Sequence, residues 1–274
     1  MDSLADQVIV VTGAARGIGL AIATACAEQG ARVVLVDRLS DEVAAAAQGL
    51  QRRGLAAQVR VADLADREAV ASLFDALLQR EGRIDGLVNN AGTTVYGGAL
   101  DTGLDDLMQV LRIHLAPTLL CTQAVVPAML AAGRGRVVHM ASAAAQAAVT
   151  RLFAYSMAKA AIVSMTQHMA TEFAGRGVTV NALAPGPVLT EALRANQNPG
   201  VQRALRDGIP ADRFAEPEEV AAAAVFLLGE QASYVNGHVL NVDGGLMAMK
   251  TPLHRVAKTE ASAQHPHSNQ ETRP

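Results

Sequence analysis

Tyr155 and Lys159 stand four residues apart in Tyr155-Ser156-Met157-Ala158-Lys159, within a run that reads as helix. Residues four apart share a helix face, so the phenol and the ammonium project together. An ammonium beside a phenol favours the phenolate, and the expectation is a Tyr155 pKa drawn down from about 10 towards working pH. Such a phenol can pass a proton to or from a substrate oxygen. The spacing alone arises often by chance on solvated helices. Its weight comes from Ser142, thirteen positions earlier, and from a glycine-rich turn near the N-terminus.

That turn is Val11-Thr12-Gly13-Ala14-Ala15-Arg16-Gly17-Ile18-Gly19 and joins the first predicted strand to the first predicted helix. Glycines there let the backbone approach a pyrophosphate, with the helix N-terminus facing its charge. The spacing Gly-x-x-x-Gly-x-Gly differs from the common dinucleotide fingerprint and lacks the Gly-Lys-Ser/Thr ending of an ATP-binding loop. Asp37 ends the second strand eighteen residues beyond Gly19. A carboxylate there accepts hydrogen bonds from adenosine ribose hydroxyls and repels a 2′-phosphate, which favours NAD over NADP. Its plainer role would be to cap the helix starting near Ser40 and Asp41. Arg16 and Arg38 keep NADP open, because either guanidinium could neutralise a phosphate in that corner.

The elements that must position these groups alternate along the chain. Val8–Val11, Val33–Val36, Gln58–Val61, Gly86–Val88, Val137–Met140 and Val178–Leu183 are short runs bounded by turn formers and read as strands. Helical patterns lie between them at 18–30, 41–53, 67–80, 104–131 and 154–175. This alternation implies a parallel sheet with helices on both faces, doubly wound by right-handed crossovers. The expected fold is α/β, a single-domain Rossmann-type sheet over residues 1–249. Residues 188–210 break the rhythm and should form a lid over the carboxyl ends of the strands. Residues 250–274 are polar, lack apolar periodicity and read as a disordered tail. His265 and His267 within it are too few for a metal site.

Half of the 274 residues are hydrophobic while aromatics make up 3%, so Ala, Val and Leu must fill the core. A formal charge of -3 gives no electrostatic case for a nucleic-acid partner. Cys26 and Cys121 show no metal spacing and read as small buried hydrophobes in a reducing compartment. No metal is expected. No signal peptide precedes the first strand, and no apolar run approaches the ~18–20 residues needed to cross a bilayer. The expectation is a soluble, cytoplasmic protein without a membrane partner.

Six motifs in order resemble the short-chain dehydrogenase/reductase family over about residues 5–249: Thr12-Gly13…Gly17-Ile18-Gly19, Asp63-Leu64, Asn89-Asn90-Ala91-Gly92, Ser142, Tyr155…Lys159 and Pro185-Gly186-Pro187-Val188-Leu189-Thr190. The resemblance implies that Gly13, Arg16, Gly17, Ile18 and Gly19 bind the cofactor, with Asp37 and Arg38 at its ribose. It places Asp63 at the adenine amino group, beside Leu64. Asn90, Ala91 and Gly92 would pass the adenosine ribose. Pro185 and Gly186 would lie along the nicotinamide, with Val188 and Thr190 on its carboxamide. Thr190 could equally cap a helix at Glu191, and the two roles can coexist. Tyr155 would take the substrate proton, Ser142 would hold the substrate oxygen, and Lys159 would also bind the nicotinamide ribose.

The implied function is NAD-dependent interconversion of a secondary alcohol and a ketone. The alternatives are an NADPH-dependent 3-oxoacyl-thioester reductase and a non-catalytic dinucleotide-binding protein. A homotetramer is implied as well. Thr93–Tyr96, Ala143–Ala145, Val149–Phe153 and Pro187 should line the substrate pocket, with the 190–210 lid above it. They are mainly apolar and suit an aliphatic or cyclic skeleton. Arg194, Arg203 and Arg206 at helical spacing read as a solvated face.

One position departs from the family pattern. His114, in Ile113-His114-Leu115-Ala116-Pro117, stands where an asparagine is usual, at a water that links the lysine to solvent. An imidazole can also donate and accept, so His114 is a candidate catalytic residue, with a titration near its ordinary 6.5. Alternatively it only packs, and Pro117 frees the carbonyl of Ile113 to hold the water.

Overall fold

The computed structural model describes residues 3–195 and 198–249. Strands form at the β-branched runs: β1 Val8–Thr12, β2 Arg32–Asp37, β3 Ala57–Val61, β4 Gly86–Asn89, β5 Gly135–Met140, β6 Val178–Pro185 and β7 Val239–Val242. They make one seven-stranded sheet in the order β3-β2-β1-β4-β5-β6-β7, every pair parallel. The helices are α1 Gly17–Glu28, α2 Ser40–Arg52, α3 Arg67–Glu81, α4 Leu104–Ala132, α5 Phe153–Phe173, α6 Glu191–Ala195, α7 Pro199–Asp207 and α8 Pro217–Leu228. This is the doubly wound sheet expected. Its winding reverses between β1 and β4, which opens a crevice at their carboxyl ends.

Side-chain alternation along each strand divides the core. Ile9, Val11, Val33 and Leu35 pack on one face against Ile22, Ala23 and Cys26 of α1 and Val220, Ala224 and Leu227 of α8. Val8, Val10, Val34 and Val36 face the other way, against Val70, Phe74 and Leu77 of α3 and Cys121, Val125 and Met129 of α4. Both cysteines are buried free thiols pushed up to about 12 by burial, consistent with their reading as small hydrophobes.

Four helices depart from the expectation. α8 was not foreseen, although Pro217 opens it and Glu216 and Glu219 form a reciprocal cap. α6 and α7 occupy the segment expected as an irregular lid; the side chain of Asn198 caps α7 by accepting from Gly200 and Val201 N–H at 3.0 and 3.2 Å. α4 is also long and apolar enough, by length and composition, to cross a bilayer, contrary to the sequence reading. Here its inward residues are spent on the sheet and on α5. The expected tail with His265 and His267 lies outside the described residues.

At the opposite end of the sheet, two turns touch backbone to backbone. Gly177 has φ +82°, and an added Cβ would collide with the Gly133 carbonyl. Its own carbonyl accepts from Gly135 N–H at 3.2 Å. Gly177→Ala is expected to cost at least about 2 kcal/mol. That is a Tm fall of about 4–8 °C for a chain of this size, read by thermal circular dichroism. An unchanged Tm would show that the turns are free to separate.

Candidate active site

The turns after β1 and β4 are laced together at the crevice. Thr12 Oγ1 donates to the Val88 carbonyl at 3.2 Å and accepts from the N–H groups of Asn90 and Ala91 at 3.0 and 3.1 Å. The Asn90 amide donates to the carbonyls of Thr12 and Gly13, both at 3.0 Å. Gly13 sits at φ +63°, with Ala91 Cα only 2.9 Å from where a Cβ would stand. A Cβ on Gly19 would collide with the Gly13 carbonyl. This is a cradle closed to side chains, as a pyrophosphate approaching α1 requires. Thr190 packs 3.6 Å from the Gly17 Cβ position, so the segment after β6 reaches the same turn.

Asp37 faces this cradle from the end of β2. Its carboxylate accepts from Ala15 N–H at 3.0 Å and from Leu39 N–H at 3.2 Å. It therefore orients the glycine turn and its own loop, whereas Leu39 is the cap position of α2. Ala62 N–H donates to the Asp37 carbonyl at 3.2 Å, which brings Asp63 and buried Leu64 to the next strand end. Arg16 pairs with Glu42 at 3.5 Å on the surface, and Arg38 is exposed.

Ser142, Tyr155 and Lys159 come together at the end of β5. Ser142 caps a 3-10 turn, its oxygen accepting from Ala144 N–H at 3.2 Å. Tyr155 lies in the first turn of α5, with the Lys159 ammonium 5.6 Å from its ring centroid. Lys159 is 4% exposed and donates to the Met140 carbonyl at 2.7 Å. Burial lowers it to about 8. The expected lowering of the Tyr155 pKa is not found. Burial raises it, and hydrogen bonding with Ser142 only partly opposes that, while the nearby Tyr96 phenol adds to the rise.

His114 is buried against this pair. Its Nε2 lies 2.9 Å from the Thr93 carbonyl and so carries the proton, leaving Nδ1 a buried acceptor without a partner. The ring meets Tyr155 edge-on, centroids 5.4 Å apart at 81°. Burial, and then the Lys159 charge, lower its pKa to about 4. The expected titration near 6.5 is thereby displaced below working pH. Gly92 has to lack a side chain, because a Cβ would stand 2.7 Å from Nδ1.

The mouth is built from two loops zipped by a bridge between Gly97 and Leu152. Gly97 N–H donates to the Arg151 carbonyl at 2.8 Å, and Phe153 N–H donates to the Gly97 carbonyl at 3.2 Å. Pro185 ends β6, Gly186 N–H donates to the Val242 carbonyl at 3.0 Å, and Leu189 N–H donates to Ala215 at 2.7 Å. Thr190 does cap α6, accepting weakly from Leu193 N–H at 3.4 Å. Arg194 pairs with Glu216 at 3.6 Å, and Arg203 and Arg206 are exposed, in keeping with a solvated face. Thr12 stood in the first motif without a role of its own, Thr93 was expected only as pocket lining, and the Met140 carbonyl was not among the expected site groups. The last two act through backbone oxygens that no residue type announces.

A family model described as enoyl-(acyl carrier protein) reductase matches residues 13–247. The D-threitol dehydrogenase of Mycolicibacterium smegmatis is 42% identical over 242 residues, 88% of this chain and 93% of that protein. The NAD-dependent glycerol dehydrogenase of Listeria innocua is 39% identical, over 89% of this chain and 94% of its own. A gluconate 5-dehydrogenase from Burkholderia cenocepacia, solved with NADP and tartrate, superposes with a TM-score of 0.86 at 33% identity. That match covers 90% of this chain and 98% of that one.

Buried histidines leave a measurable signature. His114 and His139 have folded values of about 4 and about 3, both lowered first by burial. The unfolded chain therefore takes up protons first as pH falls. Their contribution is complete above the ordinary 6.5 and is lost progressively as pH falls from there through the folded values. Unfolding free energy from urea titration should fall by about 2 kcal/mol per histidine between pH 7 and pH 5. His114→Asn should halve that slope, and a flat profile would show that neither imidazole is held neutral.

Proposed function

The chain belongs to the short-chain dehydrogenase/reductase family, and we propose that it interconverts a secondary alcohol of a short polyol and the matching ketone, with NAD as cofactor and Tyr155 as general acid/base. That the chain is an oxidoreductase using a nucleotide cofactor follows from the family. NAD, the polyol and the residue roles are the proposal. The convergence of Ser142, Tyr155 and buried Lys159 at the carboxyl end of β5 is the observation that carries it.

A nicotinamide dinucleotide, when bound, supplies the hydride acceptor or donor. The closed glycine cradle fits its pyrophosphate, Asp37 its adenosine ribose and Asp63–Leu64 its adenine. In oxidation the Ser142 hydroxyl would position the substrate oxygen, and the Tyr155 phenolate would take the hydroxyl proton as the carbon bearing that hydroxyl gives up its hydride and the C=O bond forms. Lys159 supplies the positive charge that offsets burial of the phenolate. Its two remaining N–H groups are available to ribose hydroxyls. His114, held neutral, acts as a support for the Tyr155 ring and for Thr93 rather than as a proton carrier.

Two features support NAD. The Asp37 carboxylate is fixed by two backbone N–H groups at the ribose corner, and Arg16 is engaged by Glu42. The polyol rests on the threitol and glycerol dehydrogenases among the relatives, and on Tyr96, 66% exposed near Tyr155. A second phenol at the mouth suits a further hydroxyl beside the reacting carbon of the aliphatic or cyclic skeleton expected from the mainly apolar lining.

Fluorescence titration should show NADH binding at least tenfold tighter than NADPH, about 1.4 kcal/mol, with Asp37→Ala narrowing the gap. Tighter NADPH binding would overturn the cofactor assignment. Tyr155→Phe should lower kcat on D-threitol or glycerol by about 10²–10⁴-fold while retaining NADH binding. The pH–rate profiles of wild type and His114→Asn should have the same shape. An inflexion near pH 6.5 lost in the variant would return the imidazole to a proton-carrying role.

A further inference from the structure

A second buried histidine lies directly beneath the reacting pair and has no part in the chemistry above. His139, on β5, is fully buried and immediately precedes Met140, whose carbonyl holds the Lys159 ammonium. Its two ring nitrogens face hydroxyls on two different helices. Nδ1 lies 3.0 Å from Thr166 Oγ1 on α5, and Nε2 lies 3.3 Å from Thr122 Oγ1 on α4.

The hydroxyl protons are already committed. Thr166 donates to the Ile162 carbonyl at 2.7 Å, and Thr122 donates to the Thr118 carbonyl at 2.6 Å. Each oxygen is then an acceptor. A neutral imidazole carries one N–H, and the shorter contact assigns it to Nδ1, donating to Thr166. The Thr122 oxygen accepts instead from the Asn89 amide at 2.9 Å. The seam continues along α4, where Thr118 Oγ1 donates to the His114 carbonyl at 2.9 Å. Two polar stretches thus meet at His139: one runs from the backbone of His114 along α4 to Asn89 at the end of β4, and the other from His139 on β5 into α5.

We propose that His139 is a positioning residue for Lys159: by tying β5 to α5 through Thr166, it fixes where the Met140 carbonyl meets the ammonium. This rests on the reading of Tyr155 and Lys159 as the reacting pair. Among described residues, Met140 is the hydrogen-bond acceptor of Lys159. A change in the path of β5 at residue 139 therefore reaches the cation directly. Loosening that contact makes the buried ammonium less favourable, so it gives up its proton more readily. Lys159 is the first of the pair to titrate, because burial lowers it to about 8 and raises Tyr155. The other titratable groups facing the pair are His114 from α4 and Tyr96 from the loop after β4. Neither is in the His139 seam through its side chain.

The test follows the ammonium itself and needs no substrate. An NMR pH titration of the full-length protein labelled at its lysine side chains, less that of Lys159→Met, isolates Lys159 ionisation. In Thr166→Val, which keeps the side-chain shape and removes the acceptor, Lys159 should lose its proton about 0.5–1 pH unit lower. Thr166→Ser restores the hydroxyl and should return it to the wild-type position, which a purely structural role for the seam would not require. His139→Val should move it in the same direction as Thr166→Val; if that variant does not fold, the Thr166 pair carries the test. Superimposable titrations for wild type and Thr166→Val overturn the proposal. Full turnover by Tyr155→Phe would sink the assignment of the reacting pair instead, a separate outcome.

Discussion

A cation held in the core with a single backbone carbonyl for company sets the terms for its surroundings. Burial of an ion costs several kcal/mol unless something offsets it, and Lys159 has only the Met140 carbonyl among the described groups. The neighbouring ring of His114 is kept neutral, which spares the site a second charge. Tyr155 is under the opposite pressure, since burial favours its protonated form. Each group is thus pushed towards neutrality by the same desolvation, and each would be relieved by the charge of the other. A proton moving off the phenol converts two separate penalties into one ion pair. That is why the phenol and the ammonium have to be positioned as a unit.

The sheet supplies that positioning. The reversal between β1 and β4 lets two turns approach without a helix between them, and Thr12 and Asn90 bind them into one piece. The neighbouring end of β5 carries Ser142 and the Met140 carbonyl, and α5 returns Tyr155 and Lys159 over it. Cofactor and chemistry therefore share a rigid floor made of strand ends. Hydrogen bonds between side chain and backbone, rather than ion pairs, hold that floor together.

Much of this was legible beforehand, because periodicity and spacing are local properties. Six strand runs appeared where the sheet has its first six strands, and five helical patterns matched α1 to α5. The i, i+4 placement of Tyr155 and Lys159 needed nothing beyond helix geometry. What escaped depends on burial and on the backbone. The ammonium next to Tyr155 was recognisable, but the desolvation that outweighs it at the phenol belongs to the assembled core. The pKa of His114 was misjudged for the same reason. The helix α8 was missed although Pro217 and the Glu216–Glu219 pair announce it, so there the signal was present and unused.

The bridge between Gly97 and Leu152 has a consequence for how such a scaffold diversifies. It joins the loop after β4 to the loop after β5 through backbone atoms, so the two rims of the mouth are one composite surface. Lengthening one loop alone would break the register that seats the start of α5, and with it the phenol. Exchange of specificity between relatives by grafting should therefore succeed when both loops travel together. A single transplanted loop would bring a new lining while unseating the acid it was meant to serve.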